Sequence, residues 1–183
     1  MGAPRAMAHV PSDPIVRRLL KAEGFLELGL PARALEILQE RDHWETMAFE
    51  ANALMGEALR GLKRHRDAIK PLERAAALRP GHVGVALALG WCYKRTHKLA
   101  QAIDALERSC REHPEQSILH YNLACYWSLA GNVRKASGEL GLALILDPSL
   151  RARVDFESDF DPIRCSPEFL QVTRDCVAQP QSS

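Results

Sequence analysis

The sequence predicts an all-α fold of four antiparallel helix pairs followed by one capping helix. Features that recur every 34 residues predict it. A small residue marks the second helix of each pair, at Ala34, Ala68, Ala102 and Ala136. Another marks the first helix, at Ala22, Gly56, Gly90 and Ala124. Three units close with proline, at Pro80, Pro114 and Pro148. Small residues let two helices approach closely and proline cannot continue a helix, so the pattern indicates short helix pairs.

Bulky side chains follow the same period, three residues after the small residue of each first helix. They are Phe25, Leu59, Tyr93 and Trp127. This combination of period, small, bulky and proline positions resembles the tetratricopeptide-repeat family. The resemblance implies that the helix pairs stack into a right-handed superhelix with a concave groove. The first unit departs from the pattern at Lys21, where the later units carry Met55, Leu89 and Leu123.

The elements follow in order from these signals. Residues 1–12 are predicted to be a disordered lead, and Asp13 before Pro14 predicts the start of the first helix. The four units are expected at about 13–46, 47–80, 81–114 and 115–148. In the last unit, the helices of Ser117–Pro148 are separated by a break at residues 130–132. Each helix has only about a dozen residues, so its stability depends on stacking against its neighbours.

The period ends after Pro148, and residues 149–178 are predicted to cover the apolar end of the last unit. Ser166 followed by Pro167 and Glu168 predicts a helix start. The predicted buried side of that helix consists of Phe169, Leu170, Val172 and Val177. The pattern DFDPIR…SPEF is similar to the closing segment of many bacterial members of the family, which implies a bacterial source. Residues 179–183 are expected to be a tail.

Composition argues against several classes of partner. The formal net charge is +1 and the basic residues are interspersed with acids, so neither nucleic acid nor an anionic membrane is expected as a partner. No apolar run approaches the roughly 18 residues of a membrane-spanning helix. The amino-terminal residues lack the apolar core of a signal peptide, and the five cysteines include no CxxC pair. Reduced thiols and a cytoplasmic location are therefore predicted.

No catalytic, metal or cofactor site is predicted. Alternating acids from Asp155 to Asp161 resemble those of a calcium loop, but Phe160 stands where such a loop needs glycine and Ser166 where it needs glutamate. The alternative is a polar turn with Phe156 and Phe160 packed inward. No histidine has another histidine or a cysteine four residues away. A Cys–His nucleophile formed between units remains open, although buried structural thiols are far commoner.

The family resemblance implies that the first helix of each unit lines the concave groove. From the third and fourth units it selects Leu87, Trp91, Lys94, Arg95, Ile118, Tyr121, Asn122 and Cys125. Trp91 and Tyr121 are aromatic anchors of the type that dominates binding energy. The hypothesis is that this groove holds an apolar or aromatic side chain of a peptide or helix, while Asn122 holds its main chain. The alternative is that these residues pack against the C-terminal segment or form core.

The predicted function is a non-enzymatic protein–protein interaction module, an adaptor or scaffold. One alternative is a small chaperone for a secreted or assembling protein, which would be supported by a partner that becomes soluble only on co-expression. Another alternative is an enzyme, for which the sequence offers no motif. Homo-oligomerisation is also open, because an apolar groove can receive the terminus of a second copy.

Overall fold

The structure is a computed structural model that describes residues 13–40 and 44–175. Within these ranges the chain forms ten α-helices and no strand, which confirms the all-α prediction. The predicted lead at 1–12, the tail at 179–183 and Val177 lie outside the described residues. The chain divides into two compact units, the first ending at Leu78 and the second beginning at Arg79.

The first unit contains two helix pairs. Its helices are α1 (Pro14–Glu27), α2 (Pro31–Gln39), α3 (Ala48–Gly61) and α4 (His65–Leu78). The carboxylate of Asp13 accepts a hydrogen bond from the Ile15 amide at 2.8 Å, so α1 begins at the predicted cap. Helix α3 does not follow the preceding loop directly. A 3₁₀ turn at Glu45–Met47 comes first, and the backbone of Met47 (φ −128°, ψ 35°) is not α-helical.

The second unit contains two further helix pairs and the C-terminal segment. The pairs are α5 (Val83–Arg95) with α6 (Leu99–Glu112), and α7 (Ser117–Leu129) with α8 (Val133–Leu146). Asn132 caps α8, because its side-chain oxygen accepts a hydrogen bond from the Lys135 amide at 3.0 Å. The break predicted at residues 130–132 is therefore the turn between α7 and α8.

Two of the periodic small residues are required by close helix packing. A Cβ atom built on Gly56 would lie 2.4 Å from the side chain of Leu72, and one built on Gly90 would lie 2.4 Å from Leu106. Both leucines are completely buried. The small position of the first helix thus accommodates a leucine of the second helix. This leucine lies four residues after the small residue of the second helix.

The turns inside the four pairs share one backbone conformation. Residues 34 apart have a positive φ: 70° at Gly29, 59° at Lys63, 61° at His97 and 74° at Gly131. Each follows the first helix of its pair, where a left-handed residue commonly ends an α-helix. Glycine adopts this conformation without steric cost, whereas Lys63 and His97 carry a Cβ atom that disfavours it.

The C-terminal segment contains two short 3₁₀ turns and two helices. The turns are Pro148–Leu150 and Ser158–Phe160, and the helices are α9 (Arg151–Val154) and α10 (Pro167–Asp175). Helix α10 packs against α8, where the side chain of Val172 lies 3.8 Å from a Cβ position on Gly141. Phe169 is buried as predicted. None of the described helices is both long enough and apolar enough to cross a membrane.

Candidate protein-binding face

The candidate site lies on α5 and α7, the first helices of the two pairs in the second unit. Their predicted residues repeat at spacings of three and four, which places them on one face of each helix. Because the sequence period is 34, Leu87 on α5 is equivalent to Tyr121 on α7, and Trp91 is equivalent to Cys125. Helices α5 and α7 are in direct contact. We call the surface formed by these residues the α5–α7 face.

On α5 this face is open. The Trp91 side chain is 39% exposed, which is unusual for so large an aromatic group, and Leu87 is half-buried beside it. The Lys94 ammonium lies 4.8 Å from the centroid of the Trp91 ring and 5.8 Å from that of Tyr126. These distances suit cation–π attraction. Arg95 is exposed at the end of the helix.

On α7 the equivalent face is covered. Tyr121 is only 1% exposed and Cys125 only 2%. The 3₁₀ turn Ser158–Phe160 packs against this helix. The Phe160 ring is fully buried and meets Tyr121 edge to face, with centroids 5.7 Å apart and an interplanar angle of 87°. The Arg153 guanidinium lies 5.2 Å from the centroid of the Tyr121 ring.

An ion pair joins the 3₁₀ turn Ser158–Phe160, which covers α7, to helix α5. The Lys94 ammonium donates a hydrogen bond to the Asp159 carboxylate. The two side chains are only 17% and 15% exposed, so water screens this pair less than a surface pair. Sequence analysis did not predict this contact, because the two residues are 65 positions apart. The signal in the sequence is the acidic pattern around Phe160, which by itself predicts a polar turn.

Phe156 and Phe160 differ in burial although they are four residues apart. Phe160 is buried as predicted, but the prediction for Phe156 is wrong, since that side chain is 90% exposed. The reason is local geometry. The Phe156 amide bonds to the Arg153 carbonyl in the turn that ends α9, and the 3₁₀ turn follows before Phe160. The chain between the two rings is therefore folded and does not alternate as an extended segment would.

Burial changes the acid–base behaviour of the covered groups. It raises the pKa of the Cys125 thiol well above its ordinary value, and the carboxylates of Glu157 and Asp159 raise it further. Lys94 and Arg153 oppose this effect only in part. Burial likewise raises the pKa of the Tyr121 hydroxyl. The Cys125 thiol therefore stays protonated at neutral pH, which is the wrong state for a nucleophile.

Ile118 and Asn122 are half-buried on α7, next to the covered residues. The side-chain amide of Asn122 donates a hydrogen bond to the Ile118 carbonyl at 2.8 Å, within its own helix. Asn52 makes the same bond to Ala48 at 2.7 Å in α3. The role of Asn122 in holding a partner's main chain stays a prediction.

One polar contact on the other side of α7 was not predicted. The buried ring of His120 places Nδ1 2.7 Å from a carboxylate oxygen of Glu139 and Nε2 2.9 Å from the Pro114 carbonyl. This histidine therefore connects α7 to α8 and to the loop before α7. Among the described residues, no group of three or more His, Cys, Asp and Glu side chains is arranged to hold a metal ion.

Comparison with known proteins identifies the repeat. A family model described as tetratricopeptide repeat matches residues 59–124. Among curated protein sequences, none matches the chain significantly.

Solved structures of proteins called MamA are similar in fold. One crystal structure of MamA has a TM-score of 0.68 and 23% sequence identity, over 74% of this chain and 80% of that chain. A structure of MamA from residue 41 to its end, from Desulfovibrio magneticus RS-1, has a TM-score of 0.67 and 21% identity, over 94% of this chain and 99% of that chain. At these identities the likeness concerns the arrangement of helices.

Proposed function

We propose that this chain, whose residues 59–124 match the tetratricopeptide-repeat model, is a non-enzymatic protein that holds a segment of another protein on the α5–α7 face. The observation that carries the proposal is the exposure of Trp91 on that face. Exposed tryptophans at binding surfaces contribute strongly to affinity, because they bury a large area with little loss of conformational entropy. The half-buried side chains of Leu87 and Ile118 offer additional apolar surface.

The charges of the face favour a protein segment over nucleic acid. Lys94 is already paired with Asp159, which leaves Arg95 as the exposed cation at the end of α5. A net charge of +1 supplies little attraction for a polyanion. We therefore propose a mainly apolar partner segment with an acidic group at one end.

The covered part of the face limits what a partner reaches. Tyr121 and Cys125 belong to the predicted site, and both lie beneath the C-terminal segment. In the conformation described, a partner meets Trp91, Leu87 and Arg95 first. Tyr121 and Cys125 become accessible only when the segment around Phe160 moves aside.

We propose that residues 149–178 close the end of the repeat array, as predicted from the sequence. The packing of α10 on α8 and the burial of Phe169 and Val154 support this role within the described residues. A repeat array needs such a terminal element, because its last helix pair otherwise exposes an apolar side to water.

The test is a comparison of two variants with matched exposed side chains. Trp91→Ala removes the aromatic group of the α5–α7 face, and Ile145→Ala removes the 76% exposed isoleucine of α8. Partners are captured from a lysate of the source organism with wild type and both variants, and the affinity of a captured protein is then measured by calorimetry. We expect Trp91→Ala to cost about 2 kcal/mol of binding or more, and Ile145→Ala to cost less than about 0.5 kcal/mol.

Circular dichroism of both variants provides the control for folding. A partner that binds wild type and Trp91→Ala equally well would contradict the proposed site. A partner lost in Ile145→Ala and retained in Trp91→Ala would place the binding surface on α8.

A further inference from the structure

The covered part of the α5–α7 face is occupied by a segment of the chain itself. We call residues 155–163, with the sequence DFESDFDPI, the acidic–aromatic segment. Its Phe160 ring is fully buried against Tyr121, and its Asp159 carboxylate pairs with Lys94. The walls of this pocket come from three separate helices, α5, α7 and α9. An acidic side chain followed by an aromatic one is thus the chemistry that this pocket accepts.

The pocket extends the open part of the face without a break. The Lys94 ammonium contacts Asp159 of the segment and also lies over the exposed Trp91 ring. Lys94 therefore belongs to both parts. A partner segment that crosses Trp91 arrives at the cation that the chain's own carboxylate now occupies.

The internal cover leaves polar groups unpaired. Among the described residues, neither the buried Tyr121 hydroxyl nor the buried Ser128 hydroxyl has a hydrogen-bond partner. Ser128 lies two turns after Tyr121 on the same face of α7. Buried hydroxyl groups without partners cost free energy, because they have lost the water that they bond in the unfolded chain. The acidic–aromatic segment therefore covers Tyr121 without giving its hydroxyl a hydrogen-bond partner.

The segment is also closed upon itself. The guanidinium of Arg164 donates to the Val154 carbonyl at 3.3 Å and to the Glu157 carbonyl at 2.8 Å. It also pairs with Asp161 at 2.9 Å. These bonds hold both ends of the segment together independently of α5 and α7. A loop whose ends are joined in this way is able to open as one local unit while the helices stay folded.

We infer that the pocket between Lys94 and Tyr121 is a recognition site for an acidic–aromatic pair in the partner protein, and that Asp159 and Phe160 occupy it until such a partner displaces them. This inference rests on the proposed function, since it names the chemistry of the partner for the same face. The partner contributes an Asp or Glu carboxylate to Lys94 and the following aromatic ring to Tyr121. It also contributes acceptors or donors to the unpaired hydroxyls.

The test uses the segment as its own probe. A fluorescein-labelled peptide of residues 157–164, ESDFDPIR, is titrated into the full chain and followed by fluorescence anisotropy. The proteins are wild type, Phe160→Ala and Phe156→Ala. The Phe156 side chain is exposed, so its variant is the matched control. A peptide with alanine in place of Phe160 controls for the aromatic group.

We expect the peptide to bind Phe160→Ala at least 10-fold more tightly than it binds wild type or Phe156→Ala. The alanine-substituted peptide is expected to lose this binding. A folded Phe160→Ala protein that does not bind the peptide would overturn the inference, because the pocket would then not accept a separate segment. A wild-type dimer that dissociates on addition of the peptide would assign the pocket to a second copy of this chain and overturn a different protein as the partner.

A second measurement on wild type keeps the inference testable if Phe160→Ala fails to fold. Cys125 lies under the segment, and Cys92 is fully buried in α5. Labelling by N-ethylmaleimide is followed at each cysteine by mass spectrometry. Local opening predicts that Cys125 is labelled at least 10-fold faster than Cys92. Equal rates would mean that the segment leaves only when the whole unit unfolds, which would overturn displacement by a partner.

The two proposals fail in different ways. A partner that depends on Trp91, combined with no peptide binding by Phe160→Ala, retains the proposed function and removes the recognition of an acidic–aromatic pair. Peptide binding by Phe160→Ala, combined with a partner that does not depend on Trp91, would retain the pocket for an acidic–aromatic pair and remove Trp91 as the site of the proposed function.

Discussion

Helices α5 and α7 occupy equivalent places in successive helix pairs, yet one face is open and the other is covered. Trp91 is 39% exposed, whereas Cys125, its equivalent 34 residues later, is 2% exposed. The backbone of the repeat does not produce this difference. It comes from the acidic–aromatic segment, which lies outside the repeats. The segment buries Phe160 against Tyr121 of α7, whereas its ion pair with Lys94 of α5 leaves Trp91 exposed. Accessibility of a repeat surface is thus decided by the non-repeating sequence.

The same two helices also differ in the residue at the small position of the repeat. The small position is glycine in α5, at Gly90, and alanine in α7, at Ala124. A Cβ atom on Gly90 would meet Leu106 at 2.4 Å and the Tyr126 ring at 3.2 Å. Glycine is therefore needed where both a leucine and an aromatic ring converge. The turns that follow differ as well, with His97 after α5 and Gly131 after α7.

The largest expected effect on stability tests how the acidic–aromatic segment packs on α7. Phe160→Ala removes a fully buried ring, and such deletions cost about 3–5 kcal/mol of the free energy of unfolding. Phe156→Ala removes an exposed ring of the same size and is expected to change it by less than about 0.5 kcal/mol. Urea unfolding followed by circular dichroism measures both.

The size of the decrease in the free energy of unfolding of Phe160→Ala sharpens the comparison of α5 with α7. A decrease of about 3–5 kcal/mol means that the segment and α7 unfold together. A smaller loss, with helix content retained, means that the segment detaches before α7 unfolds. The loss in the free energy of unfolding then cannot exceed the free energy of opening the segment. Equal effects of the two alanine variants would contradict the buried position of Phe160.

The next effect concerns the small position. We expect Gly90→Ala to lower the free energy of unfolding by about 1–2 kcal/mol, because overpacking costs about 1–3 kcal/mol and the better helix propensity of alanine returns up to about 1 kcal/mol. Gly138→Ala in α8 is the matched control. A Cβ atom there has no neighbour within 4 Å, so only the propensity gain remains and the variant is expected to be more stable. Stabilisation by both changes would show that Leu106 moves aside at little cost.

Much of the fold was predictable because each packing position recurs in four successive repeats. The small residues predicted the helix contacts, and Asp13 and Ser166 marked helix starts through side-chain caps. Asn132 was predicted only as part of a break, and it caps α8. The start of α3 was not predictable from the pattern, since 3₁₀ turns are frequent at the ends of α-helices and the 34-residue period does not mark where one gives way to the other. The boundaries proposed for the four units stay predictions.

The candidate face was predictable only in part. The period placed Trp91 and Tyr121 on equivalent faces, but no period relates residues 155–163 to the helices. The ion pair of Lys94 with Asp159 depends on where a non-repeating chain turns after α9. The sequence alone leaves open whether these residues bind a partner or pack against the C-terminal segment. In the structure Tyr121 does the second and Trp91 remains exposed, and the binding role of both stays a proposal.

The smallest expected effect concerns the turns after α5 and α7. His97 has a φ of 61° and an exposed side chain, so its replacement by glycine relieves the backbone without loss of packing. A left-handed residue with a Cβ atom costs roughly 1–2 kcal/mol, and glycine adds roughly 0.5–1 kcal/mol of entropy to the unfolded chain. We therefore expect His97→Gly to raise the free energy of unfolding by up to about 1 kcal/mol in thermal or urea unfolding.

Gly131→Ala is the reverse experiment in the equivalent turn. Its φ is 74° and a Cβ atom there has no neighbour within 4 Å, so the change isolates the backbone cost. We expect it to lower the free energy of unfolding by about 1 kcal/mol. Opposite signs for the two variants would show that the turn conformation, which recurs every 34 residues, limits stability in the repeat that lacks glycine. Destabilisation by His97→Gly would instead show that the histidine side chain stabilises this turn by more than its backbone strain costs.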